Sequence, residues 1–460
     1  MKSFLILVGV LALGVLNLQA TQPACIRAVH YRFSTPDPAG DPFWERRNHD
    51  DSSWRTAAEL AEIGAAVEKE KPADVYLRID VDHTPESLNN FYFRARCGGP
   101  LEIYVNGVKA GGAAHPSEDW QDYTITPRRP ETLGPNVYAL HCRAGGGAFA
   151  LEARAEPWVT TDDGQWRPAP VLPDLMRDAE VCAGPDGTYY LTATTGDDEF
   201  LLPNPKVWLI SPGIQVFRSR DLRHWTSLGY VWTIERDATW AKEFGTFSDR
   251  GPARGIFAPE IRYHDEKFWL NYSVNNATPH RFFGIGMLVA DRPEGPYRET
   301  TPGKPLTEGF DSNVFIDDDG APFLLKQGGE IAALTPDYAG VAGAFRSLRP
   351  SNYPSVGYEG VDLFKFRGKY YLTSAEWNVH ADGKVSYDSM VASSDHREGP
   401  YGERYCALRF GGHNGYFEGP DGQLYATVWC YPDGDPHWQR VSIVRMDLGE
   451  DGRFHLVKTP

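Results

Sequence analysis

The sequence lacks any cluster of lysine and arginine residues, and it lacks long apolar stretches after its first twenty residues. Its 460 residues include 46 Lys and Arg against 62 Asp and Glu, which gives a formal net charge of −16. Nucleic acids and anionic membranes attract basic surfaces, so this charge argues against both as partners. No membrane span is predicted, because a transmembrane helix needs about 20 consecutive apolar residues.

Cysteine is also scarce. The six cysteines form no Cys-x-x-Cys pair and have no Cys/His spacing typical of a zinc site. Cys97 and Cys142 lie in two strand-like stretches of one predicted domain, so they are the preferred disulfide pair in an exported protein. The alternative is that all six are small buried apolar side chains.

The first twenty residues have the composition of an export signal. Lys2 precedes an apolar run from Phe4 to Leu18, and Ala20 follows at a small-residue cleavage site. An apolar run of about 15 residues is short for a membrane span. We therefore expect a signal peptide over residues 1–20, cleavage near Ala20, and a secreted or periplasmic protein. A lipid anchor at Cys25 is less favoured, because the residues before it form a poor lipobox.

The length predicts two or more domains. Residues 21–157 are predicted to form a β-sandwich, because residues 75–81 alternate apolar and polar side chains as a half-buried strand does. Residues 101–107 form a strand that ends in an Asn-Gly turn. Together with residues 50–54, this pattern resembles the galactose-binding-type sandwiches attached to many carbohydrate enzymes. The resemblance leaves open whether the domain binds sugar or acts as a spacer.

A repeat fills the rest of the chain, after a predicted linker over residues 158–173. Five times, a turn is followed by an aromatic-rich start of a strand, and the last residues of the copies are 79, 54, 48 and 54 positions apart. Radial repetition of small antiparallel sheets with this period is typical of β-propellers. We predict an all-β protein with a five-bladed propeller over residues 174–460, and a loop insertion within residues 198–212 or 233–254. The five copies are Asp186-Gly-Thr-Tyr-Tyr-Leu191, Asp265-Glu-Lys-Phe-Trp-Leu270, Asp319-Gly-Ala-Pro-Phe-Leu324, Arg367-Gly-Lys-Tyr-Tyr-Leu372 and Asp421-Gly-Gln-Leu-Tyr-Ala426.

The residue eight positions before each turn is polar in four of the five repeats. These residues are Asp178, Asp311, Glu359 and His413, while the second repeat has Phe257. Equal offsets place side chains at equivalent positions of equivalent strands, so we expect the four to converge at one end of the propeller axis.

Three carboxylates gathered at one end of the propeller axis destabilise the fold, because partly desolvated like charges repel and raise each other's pKa. Acid/base catalysis needs such a cluster, whereas a purely structural protein does not. The alternative is that each acid is a structural residue at a loop-to-strand junction. Three acids in register favour catalysis.

Five motifs surround these polar residues: Met176-Arg-Asp-Ala-Glu-Val-Cys182, Gly255-Ile-Phe-Ala-Pro-Glu260, Asp311-Ser-Asn-Val-Phe-Ile-Asp-Asp-Asp-Gly320, Tyr358-Glu-Gly-Val-Asp-Leu-Phe-Lys365 and Gly412-His-Asn-Gly-Tyr-Phe417. They resemble motifs of glycoside hydrolase family 43, and the resemblance covers about residues 170–460. It implies an inverting glycoside hydrolase with Asp178 as general base, Glu359 as general acid, and Asp311 tuning and orienting the acid. Two departures are that Ala follows Asp178 where the family usually has Pro, and that Glu260 stands where it often has Asp.

Four further residues are predicted to contact substrate. His413 is expected near the axis, where the resemblance implies that it holds water or a calcium ion; the alternative is a histidine bonded to backbone. Glu260 is interpreted as a substrate-rim or structural residue. Trp377 is a candidate stacking platform for a sugar ring. Arg440 resembles a last-blade arginine that contacts sugar, with a solvated arginine as the alternative.

The function predicted from these features is secreted, inverting hydrolysis of plant- or algal-type polysaccharides or oligosaccharides. The activity expected is of the arabinofuranosidase, xylosidase or galactosidase type, with no required cofactor and a calcium ion on the axis as an open question. Two alternatives are a non-catalytic carbohydrate-binding propeller and a retaining propeller glycosidase of the fructan-acting type.

Overall fold

The computed structural model describes residues 22–34, 44–124, 133–145, 147–195, 211–243, 255–275, 283–432 and 434–458. The predicted export signal and much of the predicted loop insertion lie outside these residues. Within them, no helix has both the length and the apolar character needed to cross a membrane. The chain divides into two compact units, one of Met1–Asp82, Phe93–Tyr123 and Asn136–Arg154, the other of His83–Tyr92, Thr124–Pro135 and Ala155–Pro460.

Two sheets and one helix form the first unit. A six-stranded sheet has the order β2-β1-β3-β8-β5-β6, and a three-stranded sheet has the order β7-β4-β9. The elements are β1 (Ile26–Ser34), β2 (Arg55–Ala57), α1 (Leu60–Glu70), β3 (Asp74–His83), β4 (Phe91–Cys97), β5 (Leu101–Val105), β6 (Val108–Ala113), β7 (Ser117–Thr124), β8 (Gly134–Cys142) and β9 (Phe149–Ala155).

A disulfide bond between Cys97 of β4 and Cys142 of β8 joins these two sheets, with the Cα atoms 6.6 Å apart. The disulfide prediction is therefore confirmed. Near it, the rings of Phe93 and Tyr138 from the same two strands lie 5.5 Å apart. The small and large sheets of this unit thus share a core, while its likeness to galactose-binding domains stays a prediction.

Within the described residues, five antiparallel sheets form the second unit, four of them with four strands and one with five, and each is built from strands consecutive along the chain. This confirms the predicted five-bladed propeller. Its short helices are α2 (Pro85–Leu88) and α3 (Ile234–Asp237). Blade I contains β10 (Met176–Ala183), β11 (Tyr189–Thr195), β12 (Gly213–Ser219) and β13 (Thr226–Thr233); blade II contains β14 (Ile256–His264), β15 (Lys267–Asn275), β16 (Phe283–Ala290) and β17 (Arg298–Glu299), with β18 (Thr307–Glu308) also paired to β16; blade III contains β19 (Asn313–Ile316), β20 (Pro322–Lys326), β21 (Glu330–Leu334) and β22 (Val341–Ser347); blade IV contains β23 (Glu359–Phe366), β24 (Lys369–Val379), β25 (Val385–Ser394) and β26 (Tyr405–Leu408); blade V contains β27 (Tyr416–Glu418), β28 (Leu424–Val428), β29 (Ser442–Leu448) and β30 (Phe454–Leu456).

The first strands of the blades close a ring. β10 contacts β14, β14 contacts β19, β19 contacts β23, β23 contacts β27, and β27 returns to β10. Apolar side chains fill the spaces between neighbouring blades, for example Ile214, Ile256 and Leu270 between blades I and II. Burial of these side chains holds each blade to the next, because removing apolar area from water is the main favourable contribution to folding.

Residues 158–173, predicted to be a linker, are bonded to blades of this same unit. The Thr161 hydroxyl donates to the Phe454 carbonyl oxygen at 2.7 Å, and the Val171 N–H donates to the Val441 carbonyl oxygen at 2.8 Å. The buried carboxylate of Asp162 accepts from the Arg409 N–H at 3.0 Å. This segment is therefore fixed along blades IV and V.

Candidate active site

Irregularities in the inner strands direct the predicted site residues toward the axis. The strand register shifts in β10 between Arg177 and Glu180, and in β23 between Glu359 and Asp362. A β-bulge of this kind inserts an extra residue and re-aims the side chains around it. The left-handed φ of 54° at Asp178 belongs to the same distortion.

The four polar residues of the eight-position register converge in the structure. His413 Nδ1 lies 3.8 Å from Asp178 Oδ1 and 3.5 Å from Asp311 Oδ2. The charges of Asp311 and Asp178 both act on Glu359. The structure therefore brings the four side chains together, although Asp311 and His413 precede the first strands of their blades rather than lie within them.

A hydroxyl group holds Asp178, the predicted base. Thr194 Oγ1, from the second strand of blade I, donates to Asp178 Oδ2 at 2.7 Å. Thr194 Oγ1 in turn accepts a hydrogen bond from the backbone N–H of Ala258 in blade II at 2.7 Å. Arg177 Nε lies 3.4 Å from Asp178 Oδ2 and brings a positive charge to the carboxylate. These contacts fix the position of the carboxylate side chain.

A second hydroxyl group holds Glu359, the predicted acid. Tyr387 donates its hydroxyl hydrogen to Glu359 Oε1 at 2.6 Å. Burial and the charge of Asp311 raise the pKa of Glu359 to about 7, against the opposing effect of the Tyr387 hydrogen bond. A carboxyl group with this pKa is about half protonated at pH 7 and mostly protonated below it, which suits a general acid.

Asp311 and His413 complete the cluster. Burial and the charge of Asp178 raise the pKa of Asp311 to about 7. Its backbone N–H donates to Ser273 Oγ at 3.0 Å. Burial lowers the pKa of His413, so the imidazole is neutral at pH 7. The pKa values of Asp311 and Glu359 are therefore both raised, in each case by burial and by the charge of a neighbouring carboxylate.

A second buried charge cluster, which we call the axial cluster, consists of Glu180, Glu260, Arg262, Asn313 and Asp362. Arg262 Nη2 lies 2.8 Å from Glu180 Oε1, 3.7 Å from Glu260 Oε2 and 3.6 Å from Asp362 Oδ1. Asn313 Nδ2 donates to Glu260 Oε2 at 3.0 Å and to Asp362 Oδ1 at 2.7 Å. One guanidinium therefore faces three carboxyl groups.

The axial cluster corrects the substrate-rim interpretation of Glu260. This side chain is 2% exposed, and its carboxyl group is bonded inside the propeller. Burial raises the pKa of Glu260 well above its ordinary value. The structural alternative considered for Glu260 fits this position.

Trp377 and Arg440 differ in their relation to the catalytic carboxylates. Trp377 is partly buried and stacks on Tyr387 with ring centroids 5.0 Å apart, so it lies beside the acid. Arg440 donates from Nε to the Pro173 carbonyl oxygen at 3.2 Å and from Nη1 to the Pro436 carbonyl oxygen at 3.1 Å. These bonds direct its guanidinium to loop backbone rather than to the cluster.

Sequence reasoning missed Thr194, Tyr387 and Arg262. The two hydroxyl residues lie on second and third strands, which carry many Thr and Tyr residues without a distinguishing signal. Glu180 and Asp362 gave a detectable signal, because each follows a predicted catalytic acid within three residues on the same strand. That spacing was sufficient to suggest a second layer of acids.

One group of side chains within the described residues has the composition of a metal site: His380, Asp388 and Cys406, whose ligand atoms lie within 4.8 Å of one another. Its atoms are engaged with each other and with the fold. His380 Nε2 lies 2.7 Å from Asp388 Oδ2, which also accepts from Asn378 at 3.0 Å. The backbone N–H of Phe410 donates to the other oxygen of Asp388 at 3.1 Å. These bonds account for the group as a structural network.

The amino-acid sequence of the propeller shows to which family the chain belongs. Residues 168–454 match the profile of Glycosyl hydrolases family 43. The chain belongs to this family. Among solved structures, RS223-Beta-xylosidase aligns with a TM-score of 0.51 at 17% identity, over 63% of this chain and 98% of the other. That likeness supports the propeller fold of this family 43 chain.

Three curated relatives give the family context. A xylan 1,3-beta-xylosidase from Vibrio is 27% identical over 262 residues, covering 51% of this chain and 46% of the relative. A putative beta-xylosidase from Escherichia coli is 29% identical over 247 residues, covering 50% and 41%. A non-reducing end alpha-L-arabinofuranosidase from Bacteroides ovatus is 24% identical over 246 residues, covering 50% and 39%. The matched part thus spans less than half of each relative.

Proposed function

We propose that this family 43 chain is a glycoside hydrolase that cleaves a glycosidic bond with inversion at the anomeric carbon. The observation that supports this best is the convergence of Asp178, Asp311 and Glu359 around His413 at one end of the inner strands. Acid/base hydrolysis needs one ionised and one protonated carboxyl group in a single site. The raised pKa of Glu359 fits the protonated member of such a pair.

In the proposed reaction, Asp178 takes a proton from a water molecule as the water oxygen bonds to the anomeric carbon. The bond from that carbon to the leaving oxygen breaks, and Glu359 gives its proton to the leaving oxygen. Inverting enzymes hold the two carboxyl groups roughly 6.5–9.5 Å apart to admit the water. Asp311 raises the pKa of Glu359, so the acid retains its proton at working pH.

For the substrate, we propose β-D-xylosides or α-L-arabinofuranosides in plant- or algal-type polysaccharides or oligosaccharides. The names of the three relatives support these sugars, and none of the three is a galactosidase. Trp377 beside the acid provides an aromatic face for a sugar ring on the leaving-group side.

We also propose export of the chain, with cleavage near Ala20. The disulfide between Cys97 and Cys142 supports this, because disulfides persist in oxidising compartments. The first unit as a sugar-binding module, rather than a spacer, remains an alternative within this proposal.

A calcium ion at His413 is not required by this mechanism. Ca²⁺ takes six to eight oxygen ligands, whereas the His413 ring nitrogen faces two carboxylates that the reaction itself uses. The guanidinium of Arg262 already supplies a positive charge to the three acids of the axial cluster. We expect activity to survive dialysis against EGTA; loss of turnover that Ca²⁺ alone restores would contradict this.

The test is hydrolysis of a panel of aryl xylosides and arabinofuranosides by the wild type, Asp178→Asn, Glu359→Gln and the control Glu418→Gln. Glu418 is an exposed carboxylate on β27. On aryl glycosides whose leaving group needs protonation, we expect both site variants to lose several orders of magnitude in turnover while folding normally, and the control to match the wild type. A carbohydrate-binding propeller would instead show no turnover and undiminished sugar binding in Glu359→Gln. Proton NMR of the first product distinguishes inversion from the retention of fructan-type enzymes.

A further inference from the structure

The hydrogen bond between Tyr387 and Glu359 crosses the full width of an intervening strand. Glu359 on β23 pairs with Ala375 on β24, and Ala375 pairs with Ser389 on β25. Tyr387 lies two residues before Ser389 and reaches diagonally over β24. The small side chain of Ala375, itself fully buried, leaves room for the phenol ring above it.

The aromatic surroundings of Tyr387 restrict its ring. Its cross-strand partner Trp377 stacks on it at 5.0 Å, and Trp429 meets it edge-on at 6.2 Å. Trp429 is fixed in turn, because its indole N–H donates to the His413 carbonyl oxygen at 2.6 Å. Even a Cβ atom at Gly412 would come within 2.7 Å of the Tyr387 ring. The hydroxyl group therefore reaches Glu359 from one direction only.

We propose that Tyr387 is the positioning residue of the general acid: by donating to Oε1 of Glu359, it leaves Oε2 as the oxygen that carries the proton to the leaving group. This inference rests on the proposed function, in which Glu359 is the acid. A carboxyl group has two oxygens, and the oxygen that accepts a hydrogen bond from a hydroxyl is the poorer site for its own proton. The hydroxyl group of Tyr358 also hydrogen-bonds with Tyr387 and Glu359, and Oε2 is the oxygen that Tyr387 does not occupy.

The same hydrogen bond has a second effect. A donor to a carboxylate stabilises its charged form, so Tyr387 restrains the rise in the pKa of Glu359 caused by burial and Asp311. Removal of the hydroxyl therefore frees the orientation of the carboxyl group and raises its pKa further. Both consequences are specific to proton donation, and a residue that only packs against the acid would produce neither.

The experiment compares Tyr387→Phe with the control Tyr416→Phe on two aryl glycosides of the sugar that the wild type cleaves. One substrate carries a dinitrophenyl leaving group, which departs without protonation, and the other carries a methoxyphenyl group, which needs the acid. Tyr416 is a matched control, because its buried hydroxyl lies 2.9 Å from Ser389 Oγ and does not touch the three carboxylates.

For Tyr387→Phe we expect kcat on the methoxyphenyl substrate to fall about 10-fold or more, a part of the 10²–10⁴-fold that general acid catalysis contributes. We expect kcat on the dinitrophenyl substrate to change less than about 3-fold, and the alkaline limb of the pH profile to move upward. Tyr416→Phe should change neither the ratio of kcat on the two substrates nor the position of the alkaline limb of the pH profile. Equal losses on both substrates, or an alkaline limb that does not move, would overturn the inference.

A second substitution keeps the proposal testable if Tyr387→Phe folds poorly. Incorporation of 3-fluorotyrosine at position 387 preserves the shape of the ring and makes its hydroxyl a stronger donor. The alkaline limb should then move downward, opposite to the effect of phenylalanine. If the alkaline limb of the pH profile does not move when 3-fluorotyrosine replaces Tyr387, the proposed role of the Tyr387 hydroxyl in positioning Glu359 is contradicted.

Glu359→Gln separates failure of this inference from failure of the proposed function. If Glu359 is the acid, this variant loses the methoxyphenyl activity and retains most dinitrophenyl activity. If it does so while Tyr387→Phe behaves as the wild type, the positioning role alone is wrong. If Glu359→Gln retains both activities, the assignment of the acid is wrong and the Tyr387 proposal fails with it.

Discussion

Replacement of Arg262 by methionine should destabilise the propeller in a strongly pH-dependent manner. The substitution removes the guanidinium whose Nη2 lies 2.8 Å from Glu180 and under 4 Å from Glu260 and Asp362. All three acids are at most 5% exposed, so water cannot replace the lost cation. Breaking a buried ion pair from one side costs about 3–5 kcal/mol of the free energy of unfolding. We expect a loss in this range at about pH 8.5.

The loss should shrink at lower pH because the acids take up protons. Burial and the charge of Asp362 raise the pKa of Glu180 to about 8, above its ordinary value of 4.5. The folded chain thus holds a proton that the unfolded chain has released, and stability falls as pH rises between these two values. Without Arg262 the pKa of each acid rises further, which extends the fall to higher pH. At about pH 5.5, below the raised pKa of Glu180, we expect a smaller loss.

The assay is urea unfolding of the wild type, Arg262→Met and Arg262→Lys, followed by tryptophan fluorescence at both pH values. Arg262→Lys retains a positive charge and should lose less at the higher pH. The double variant Arg262→Met with Glu180→Gln should recover part of the loss, since one acid no longer needs a counterion. An Arg262→Met loss that is equal at the two pH values, or larger at the lower one, would refute the electrostatic account.

Three further outcomes are expected. Thr194→Val leaves an oxygen of Asp178 and the buried backbone N–H of Ala258 without their hydrogen-bond partner, so kcat should fall about 10-fold or more while the alkaline limb of the pH–rate profile stays in place. Thr194→Ser should restore most of kcat. A valine variant with normal kcat would contradict the role of this hydrogen bond. Asp311→Asn removes a charge that raises the pKa of Glu359, so the alkaline limb of the pH–rate profile should move downward, and an upward shift would disprove the tuning role. Gly415→Ala brings a Cβ atom within 1.6 Å of Glu180 Oε2, so its melting temperature should drop by several degrees; an unchanged melting temperature would show that the axis has spare room.

The meeting of the three predicted catalytic acids was predictable because propeller blades repeat. Asp178, Asp311 and Glu359 occupy one offset from equivalent turns, and the repetition of the blades around the ring brings that offset to one place in the fold. The disulfide was predictable for a simpler reason, since Cys97 and Cys142 lie in two strands of the same unit. Local periodicity and repetition thus determined the fold class and the positions of the acids.

The groups that tune those acids were decided only by the tertiary structure. Tyr387 is 28 residues from Glu359, and Arg262 is 82 residues from Glu180; both contacts depend on how strands pair and how blades close the ring. Glu260 lies in the interior rather than at the expected rim, directly after a register shift in β14. The sequence by itself determined which carboxylates share an offset from the turn of their repeat, since that offset is counted along one stretch of chain. Packing between strands decided which hydroxyl, guanidinium or amide meets each carboxylate, because hydrogen bonds require atoms within about 3 Å and no local pattern specifies that distance.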